Sequence, residues 1–501
     1  MFVRKKRNKS GSISIQIVEK VRRKNKVIKT IGCSSNSEEV ERLYKQALNE
    51  LPRLYGPTLF DKEEEPKLSE LSNDNIRVCG ADEIFGRIYD KIGYKKIKEP
   101  LLKDLVISRL THPGSKLELS KYLTETGKAE ISVYSIYRFL DKLNKRYKKE
   151  IEEISFNYTK QLLGNKIGVV FYDITTIYFE SSKPDELRIA GFSKDGKHQN
   201  PQILLGLLVG RNAYPIGYEI FEGNKFEGHT LVPVLEEFSE RFKLEKPIVV
   251  ADAGLLTNDN INLLIEKGYK FIIGARIKNE SKAIKGKIKT LKLKDGETAK
   301  FQKGDNLKLI ISYSAKRASK DKVNRERGLK RLEKQIKSGK LTKANINNRG
   351  YNKYLKMTGN IQITIDKQKF EEDALWDGLK GYTTNTSLSA KKVIENYNNL
   401  WQIEKAFRIS KTDLQIRPIY HRLKERIESH ICISFVSYLL YKELERLLEL
   451  NNFNISVNKA IEQIKKIYEI VIENNFGNKQ TIKLKKNYIQ QRIYDIVNPN
   501  A

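Results

Sequence analysis

Two aspartates and one glutamate are the residues of this chain whose surroundings demand a chemical explanation. Asp173 lies inside the apolar run IGVVFYDITTIYFE, Asp252 closes the run PIVVAD, and Glu404 stands within SAKKVIENYNNLWQIEKAFRISKTDL. They are spaced 79 and 152 residues apart. A lone carboxylate in a β-branched, aromatic stretch is costly unless it is paired or bound to a metal. Three such carboxylates are hard oxygen donors of the kind that suit Mg²⁺ or Mn²⁺. They can seat two ions about 3.5–4 Å apart, one activating a water or 3′-hydroxyl and the other stabilising the leaving oxygen of a phosphodiester.

The elements that must position these acids are legible in the pattern. Ser389 to about Leu414 reads as one helix with Ser389 as its N-cap, and Tyr397, Glu404 and Lys411 recur every seven residues on one slowly drifting face. Leu400, Ile403, Phe407 and Leu414 form the adjoining core-facing stripe. Asp173 falls on a buried strand, and QNPQILLGLLVG and IGYEIFEGN read as two further strands in antiparallel connection. A helix over 230–242 leads to a strand–turn–helix–strand unit. In it Pro247 opens the strand, Asp252 ends it, Gly254 permits the turn, Asn258 caps the helix and Gly268 stops it. Asp252 therefore sits at the carboxyl end of a strand, where α/β sheets gather their ligand-handling groups. The fold expected is α/β, a mixed sheet flanked by helices.

Composition narrows the partner. The 501 residues carry 94 Lys and Arg against 62 Asp and Glu, a net charge of +32 that implies a polyanion, most plausibly nucleic acid. The longest apolar stretch, residues 431–441, is about half the ~20 residues a membrane span needs. The basic N-terminus lacks the apolar core of a signal peptide. Cys33, Cys79 and Cys432 are too scattered for a disulfide framework or a zinc site. A cytoplasmic, nucleoid-associated protein is expected, without a membrane partner.

At this length several structural units are expected. Residues 1–75 read as a β-hairpin with a basic turn, a helix from Ser37 and a linker over 56–75. The hairpin is either a small stabilising sheet or a phosphate-contacting one. Residues 76–163 read as helical, with a plain helical hairpin or a helix-turn-helix that would bring Ser135, Tyr137 and Arg138 towards DNA ends. Residues 164–278 and 381–415 form the core, and 279–380 a basic insertion. Within it the stretch from Ala315 carries cations on every face of its helical pattern. Lys316, Arg317, Arg325 and Arg327 are its expected phosphate contacts. Residues 416–501 read as a long amphipathic helix or pair, then helix alternating with basic loop.

The chain resembles the DDE transposases of the bacterial insertion-sequence group marked by Tyr-x2-Arg-x3-Glu-x6-Lys. Tyr397, Glu404 and Lys411 match that motif at its spacing, and Asp173 in VVFYDITTIYF and Asp252 in VVADAGLL match the two aspartate blocks. The resemblance covers most of 160–440 and implies a ribonuclease-H-like core interrupted by an insertion between the second Asp and the Glu. It further implies Asp173, Asp252 and Glu404 as catalytic metal ligands, with Tyr397 and Lys411 contacting DNA. Double-stranded DNA is the implied partner, as the inverted-repeat ends of an element and as target, with two copies acting on it. Leu400 stands where the motif carries Arg, and Arg408, about 40° from Glu404 on the helix, is a substitute. The reaction implied is nicking at the element's ends followed by strand transfer from the freed 3′-hydroxyl. A nuclease on the same fold that cuts without joining, and an inactive DNA-binding derivative, are the alternatives. The histidines offer no competing site: His198 and His229 fall in polar loops, and His421 and His430 are nine apart rather than the four of a helical metal pair.

Overall fold

The computed structural model describes residues 1–55, 72, 75–126, 131–180, 183–191, 199–255, 257–304, 306–339, 341, 345–347, 350–358, 362–473 and 479–499. The expected linker thus lies almost wholly outside the described residues, as does His198.

In chain order the elements begin with strands β1 (Phe2–Arg7), β2 (Ile13–Val21) and β3 (Lys24–Ser34), helix α1 (Ser37–Tyr55) and strand β4 (Ile76–Val78). Helices α2 (Gly80–Ile92), α3 (Pro100–Thr111), α4 (Lys116–Glu125), α5 (Val133–Lys142) and α6 (Lys148–Leu162) follow. Then come β5 (Val169–Tyr178), β6 (Gln202–Val209), β7 (Pro215–Glu222), α7 (Leu231–Phe242), β8 (Ile248–Ala251), α8 (Asn258–Glu266) and β9 (Lys270–Ala275). The inserted segment holds α9 (Lys282–Lys289), β10 (Thr298–Gln302), β11 (Lys308–Tyr313), α10 (Ala315–Lys337), β12 (Leu355–Thr358), β13 (Gln362–Ile365) and α11 (Lys367–Ala374). It returns through β14 (Leu379–Thr384) to α12 (Ala390–Asn398), α13 (Trp401–Arg408) and α14 (Lys424–Leu450), before α15 (Val457–Ile464), β15 (Tyr468–Glu473), β16 (Lys479–Lys483) and α16 (Tyr488–Val497).

The chain divides into two compact units, one of residues 1–88, 117–132 and 444–501, the other of residues 89–116 and 133–443. In the first, the expected hairpin is a three-stranded antiparallel sheet, because Phe2–Arg7 also pairs with β2. Ile15 and Ile17 of β2 meet Val40 and Ala47 of α1 in a small core. The tail expected as helix and loop contains the β15–β16 hairpin, which pairs with β4 in a second three-stranded sheet. The two helices of the candidate helix-turn-helix, α4 and α5, fall mainly in different units. Arg138 of α5 is exposed. Tyr137 is packed edge-on to His421 with centroids 5.9 Å apart and lies under Arg426, so it is an internal contact and not an offered one.

The second unit is built on an eight-stranded mixed sheet in the order β10-β11-β14-β9-β8-β5-β6-β7. β5, β6 and β7 form an antiparallel meander, while β8 and β9 run parallel to β5. Strand alternation sorts the side chains. Val170, Tyr172 and Ile174 of β5, with Val249 and Ala251 of β8, enter the core beneath α6, α7 and α8, where Phe156 stacks on Phe242 at 4.2 Å. The alternate residues, Asp173 among them, face the side on which α13 packs against β5 and β6. The sequence assigned the cap of α8 one residue late: Thr257, not Asn258, accepts from the Asn260 amide. Residues 430–444 of α14 are buried on every face, so this helix is a central core element and not an amphipathic one. Among the described residues no helix is long and apolar enough to cross a membrane.

Four basic groups are buried together in this unit: Arg109, Lys116, His421 and His430. The histidines, too far apart in sequence to suggest a pair, have ring centroids 5.6 Å apart because His421 precedes α14 in a loop folded back on it. His430 accepts from the Arg109 guanidinium at Nδ1 (3.3 Å) and donates from Nε2 to the Ile416 carbonyl (2.9 Å). Burial, then Lys116, Arg426 and Arg109, hold His421 down to about 3, with Asp141 pulling the other way. Burial, then Arg109, Lys116 and His421, hold His430 well below its ordinary value, with its hydrogen bond to the Ile416 carbonyl pulling the other way. Below about pH 6.5 the unfolded chain takes up protons that the folded chain refuses, so stability falls as pH drops from there towards 3. The thermal midpoint should therefore fall between about pH 7 and about pH 5, and His421→Gln with His430→Gln should flatten that fall. An acid limb of unchanged slope in the double variant would contradict this.

Candidate active site

The register of the parallel pair β5–β8 sets the site. Tyr172 lies opposite Ala251, so the next residues along are neighbours: Asp173, midway along β5, and Asp252, just past the end of β8. Both follow a residue that points into the α7–α8 core, so by alternation both face the α12–α13 side. Asp173 is the one position from Val169 to Ile177 that is not buried, and Asp252 is exposed. Glu404, exposed on α13, belongs to the helix packed on β5. The side chain of Gln402 anchors α13, accepting from the Ala213 amide in the β6–β7 turn at 2.9 Å.

The expected continuous helix is broken. α12 ends at Asn398, and α13 restarts at Trp401 after a turn at Asn399–Leu400. A wider turn then carries the chain from Ile409 to Asp413, past Lys411. Ser389 is the N-cap, accepting from the Lys392 amide. The predicted apolar stripe is buried, with Leu400, Ile403, Phe407 and Leu414 at most 8% exposed. A cation at position 400 would have been buried, which is the physical reason its absence is tolerable here.

Tyr397 is 6% exposed and donates its hydroxyl to Asp252 Oδ1 at 2.9 Å. Burial and the Asp252 charge push its phenol well above the usual range, so it remains a donor at any working pH. It lies over the cross-strand pair Gly274–Tyr382 of β9 and β14, edge-on to Tyr382 at 5.0 Å. Gly274 is needed: a Cβ there would overlap the Tyr397 hydroxyl and come within 3.1 Å of its ring carbon. Tyr397 thus acts through Asp252, which it orients, and was expected only as a DNA contact. Tyr397→Phe should leave stability within about 1 kcal/mol. It should lower the rate of end cleavage about tenfold by freeing the Asp252 carboxylate, read in a single-turnover assay beside a melting curve.

Sequence reasoning missed Lys380. It sits on β14, one residue before the Gly381–Ala275 pair, with its ammonium 4.5 Å from the centre of the Tyr397 ring and 5.6 Å from that of Tyr382. Burial, then Arg317, lower its pKa, while Asp252 and Glu404 pull it back up; the lysine therefore feels both carboxylates. Nothing in the local pattern LKGYTT distinguishes it, since its partners come from β8 and α13.

A cavity of about 690 Å³ opens beside Asp252, between the end of β9, β14 and the inserted segment. Arg276, Lys278, Arg317, Arg325, Lys353 and Lys380 line it with Asp252, Asp321, Asp373 and Asp377. Asp373 is neutralised by Lys278 and by Lys353 at 2.7 Å, and these partners outweigh its burial to hold its carboxyl well below the usual range. Arg325 is buried and its guanidinium is held by both Asp377 oxygens, so this expected phosphate contact is an internal strut. α10 is likewise not solvated all round, because Gly328 and Leu332 seat it against Tyr351 and Tyr354. Lys316, Arg317, Arg327 and Arg408 are exposed, and Arg317 alone of these lines the cavity. His229 is exposed beside Phe226.

The donor set of two aspartates and a glutamate fits a hard divalent cation. Among the described residues, however, no three His, Cys, Asp or Glu side chains are drawn close enough together to hold one.

A central strand flanked by an antiparallel meander on one side and two parallel strands on the other defines a ribonuclease-H-like core. Residues 164–440, more than half of the chain, match the model of the transposase DDE domain, and the chain belongs to that family. Membership implies an enzyme that cuts and rejoins nucleic acid. No curated protein matches the chain by sequence. Among solved structures it is similar to a piggyBac transposase synaptic complex with hairpin DNA (9% identity, TM-score 0.40, covering 77% of this chain and 76% of that one). It is also similar to a Mos1 transposase paired-end complex with left transposon end (12% identity, TM-score 0.16, 47% and 67%).

Proposed function

We propose that the protein is a DNA transposase that cleaves the ends of an insertion sequence and transfers the 3′-hydroxyl ends to target DNA. The observation that supports this reading is the β5–β8 register: Tyr172 opposite Ala251 makes neighbours of Asp173, midway along β5, and Asp252, just past β8, on the side where the helix of Glu404 packs. These three residues would hold Mg²⁺ or Mn²⁺, which when bound would supply an activated nucleophile and charge neutralisation at the phosphodiester. The chain's own residues do the rest. Tyr397 fixes the Asp252 carboxylate, and Lys380 offers a cation beside Asp252 and Glu404, in the role the family motif gives to the arginine replaced by Leu400. Arg276 and Arg317 continue the positive lining along the cavity, a path for the backbone phosphates of the strand being cut. Lys411 and Arg408 extend it at the end of α13. Two such subunits would handle two ends, as a dimer on DNA.

The test is cleavage and joining of duplex DNA carrying the element's ends, in Mg²⁺, by the parent protein. Supplying a pre-nicked end with a free 3′-hydroxyl separates this reading from a nuclease, since only a transposase yields joined product.

A further inference from the structure

We infer that the N-terminal three-stranded sheet is a duplex-DNA-binding surface that holds backbone phosphates with the tip of its β2–β3 hairpin and the exposed Lys6 of β1. The inference rests on the transposase reading for its partner. Residues 1–34 carry eleven Lys and Arg against one acid, Glu19, nearly a third of the net charge of the whole chain.

That charge is sorted by face. On the side covered by α1, Lys5 and Lys29 are paired with Glu41 (2.7 Å) and Glu50 (2.5 Å) of the helix. On the other side the register aligns Arg4, Gln16 and Thr30 in one row, with Lys6 in the next, and the sheet meets these cations with no acid of its own. Ser14 and Val18 of this face are buried and Arg4, half-buried, donates to Gln16 at 2.8 Å, which leaves Lys6 and Thr30 as the exposed groups among these.

The tip of the β2–β3 hairpin is an independent observation. Arg22 and Arg23 both have positive φ, 48° and 64°, in a two-residue turn that Asn and Gly fill without strain. Two exposed arginines held in that conformation serve no packing purpose. They are placed to grip backbone phosphates, as strained residues at functional sites do. The aligned row of Arg4, Gln16 and Thr30 is too polar for a lipid surface.

The experiment measures full-length protein binding to a fluorescein-labelled duplex DNA of mixed sequence, by anisotropy over a range of KCl. Arg22→Asn with Arg23→Gly removes two cations while relieving the turn, so its melting point should equal or exceed that of the parent. Its affinity should fall about tenfold and its salt slope should shrink by about 2, near 0.9 per lost phosphate contact. Lys6→Ser should weaken binding further, and Lys45→Ser on α1 should change neither quantity. Parental affinity and slope in the turn variant would overturn the inference. So would an equal loss in Lys45→Ser, or tighter binding to an RNA duplex or to phosphatidylserine vesicles than to DNA. Should Glu404→Gln cleave as well as the parent, the transposase reading would fail while this measurement stood; the converse result would remove the sheet's role alone.

Discussion

Glu404→Gln protein should bind duplex DNA with parental affinity and fail to cleave it in Mg²⁺, with a rate loss of about 10³-fold or more. Glu404 is exposed on α13, so the amide fills the same volume without disturbing Ile403, Ala406 or Phe407, which seat the helix. The substitution removes charge and little else. Asp173→Asn and Asp252→Asn should be as damaging, and combining them should add almost nothing, because residues that act as a unit do not lose activity additively. Cleavage and a strand-transfer assay on the same preparations decide the matter. Full cleavage by Glu404→Gln would sink the three-carboxylate assignment.

The second large effect is at Lys380. Lys380→Met keeps the length and the apolar stem that covers Tyr397 and Tyr382 but removes the cation that both carboxylates feel. End cleavage should slow about 10²-fold, the scale of deleting one preorganised donor at a phosphoryl site. The loss should lie in the single-turnover rate and not in DNA affinity, and Lys380→Arg should restore most of it. A merely structural lysine would give a lower melting point in Lys380→Met and no rescue by arginine. Restoring arginine at Leu400 in the Lys380→Met background should not help, since that position is 8% exposed and would bury an unpaired charge.

The catalytic strands were legible because they obey simple rules. β5 is a continuous apolar run, β8 begins after Pro247 and ends before Asp252, and the β6–β7 hairpin breaks at a polar turn. The residues of the site were legible as types, since a lone Asp in β5 has few bland explanations. What escaped the sequence is cross-chain placement. Lys380 and Gly274 matter only because β14 pairs with β9, a contact between segments separated by the whole insertion. Arg325 looked like an exposed cation because nothing local announces that Asp377 answers it. The insertion was expected as a basic segment apart from the core, yet β14, β11 and β10 extend the catalytic sheet, because backbone pairing at an open edge needs no particular sequence. The break in the last helix was invisible for a similar reason: Asn399 and Leu400 carry no Pro or Gly to announce it.

That break changes the meaning of the seven-residue interval between Tyr397 and Glu404. In an unbroken helix the interval would be a phase, and one extra residue would swing Glu404 through about 100° and away from the aspartates. With α12 packed on β8 and β9, and α13 separately on β5 and β6, the interval is a tether between two independently moored pieces. Its length must suffice, but its pitch is not what aims the glutamate. The joint at Asn399–Leu400 can therefore absorb small changes that the paired strands positioning Asp173 and Asp252 cannot, and sequence drift in this site should collect there first.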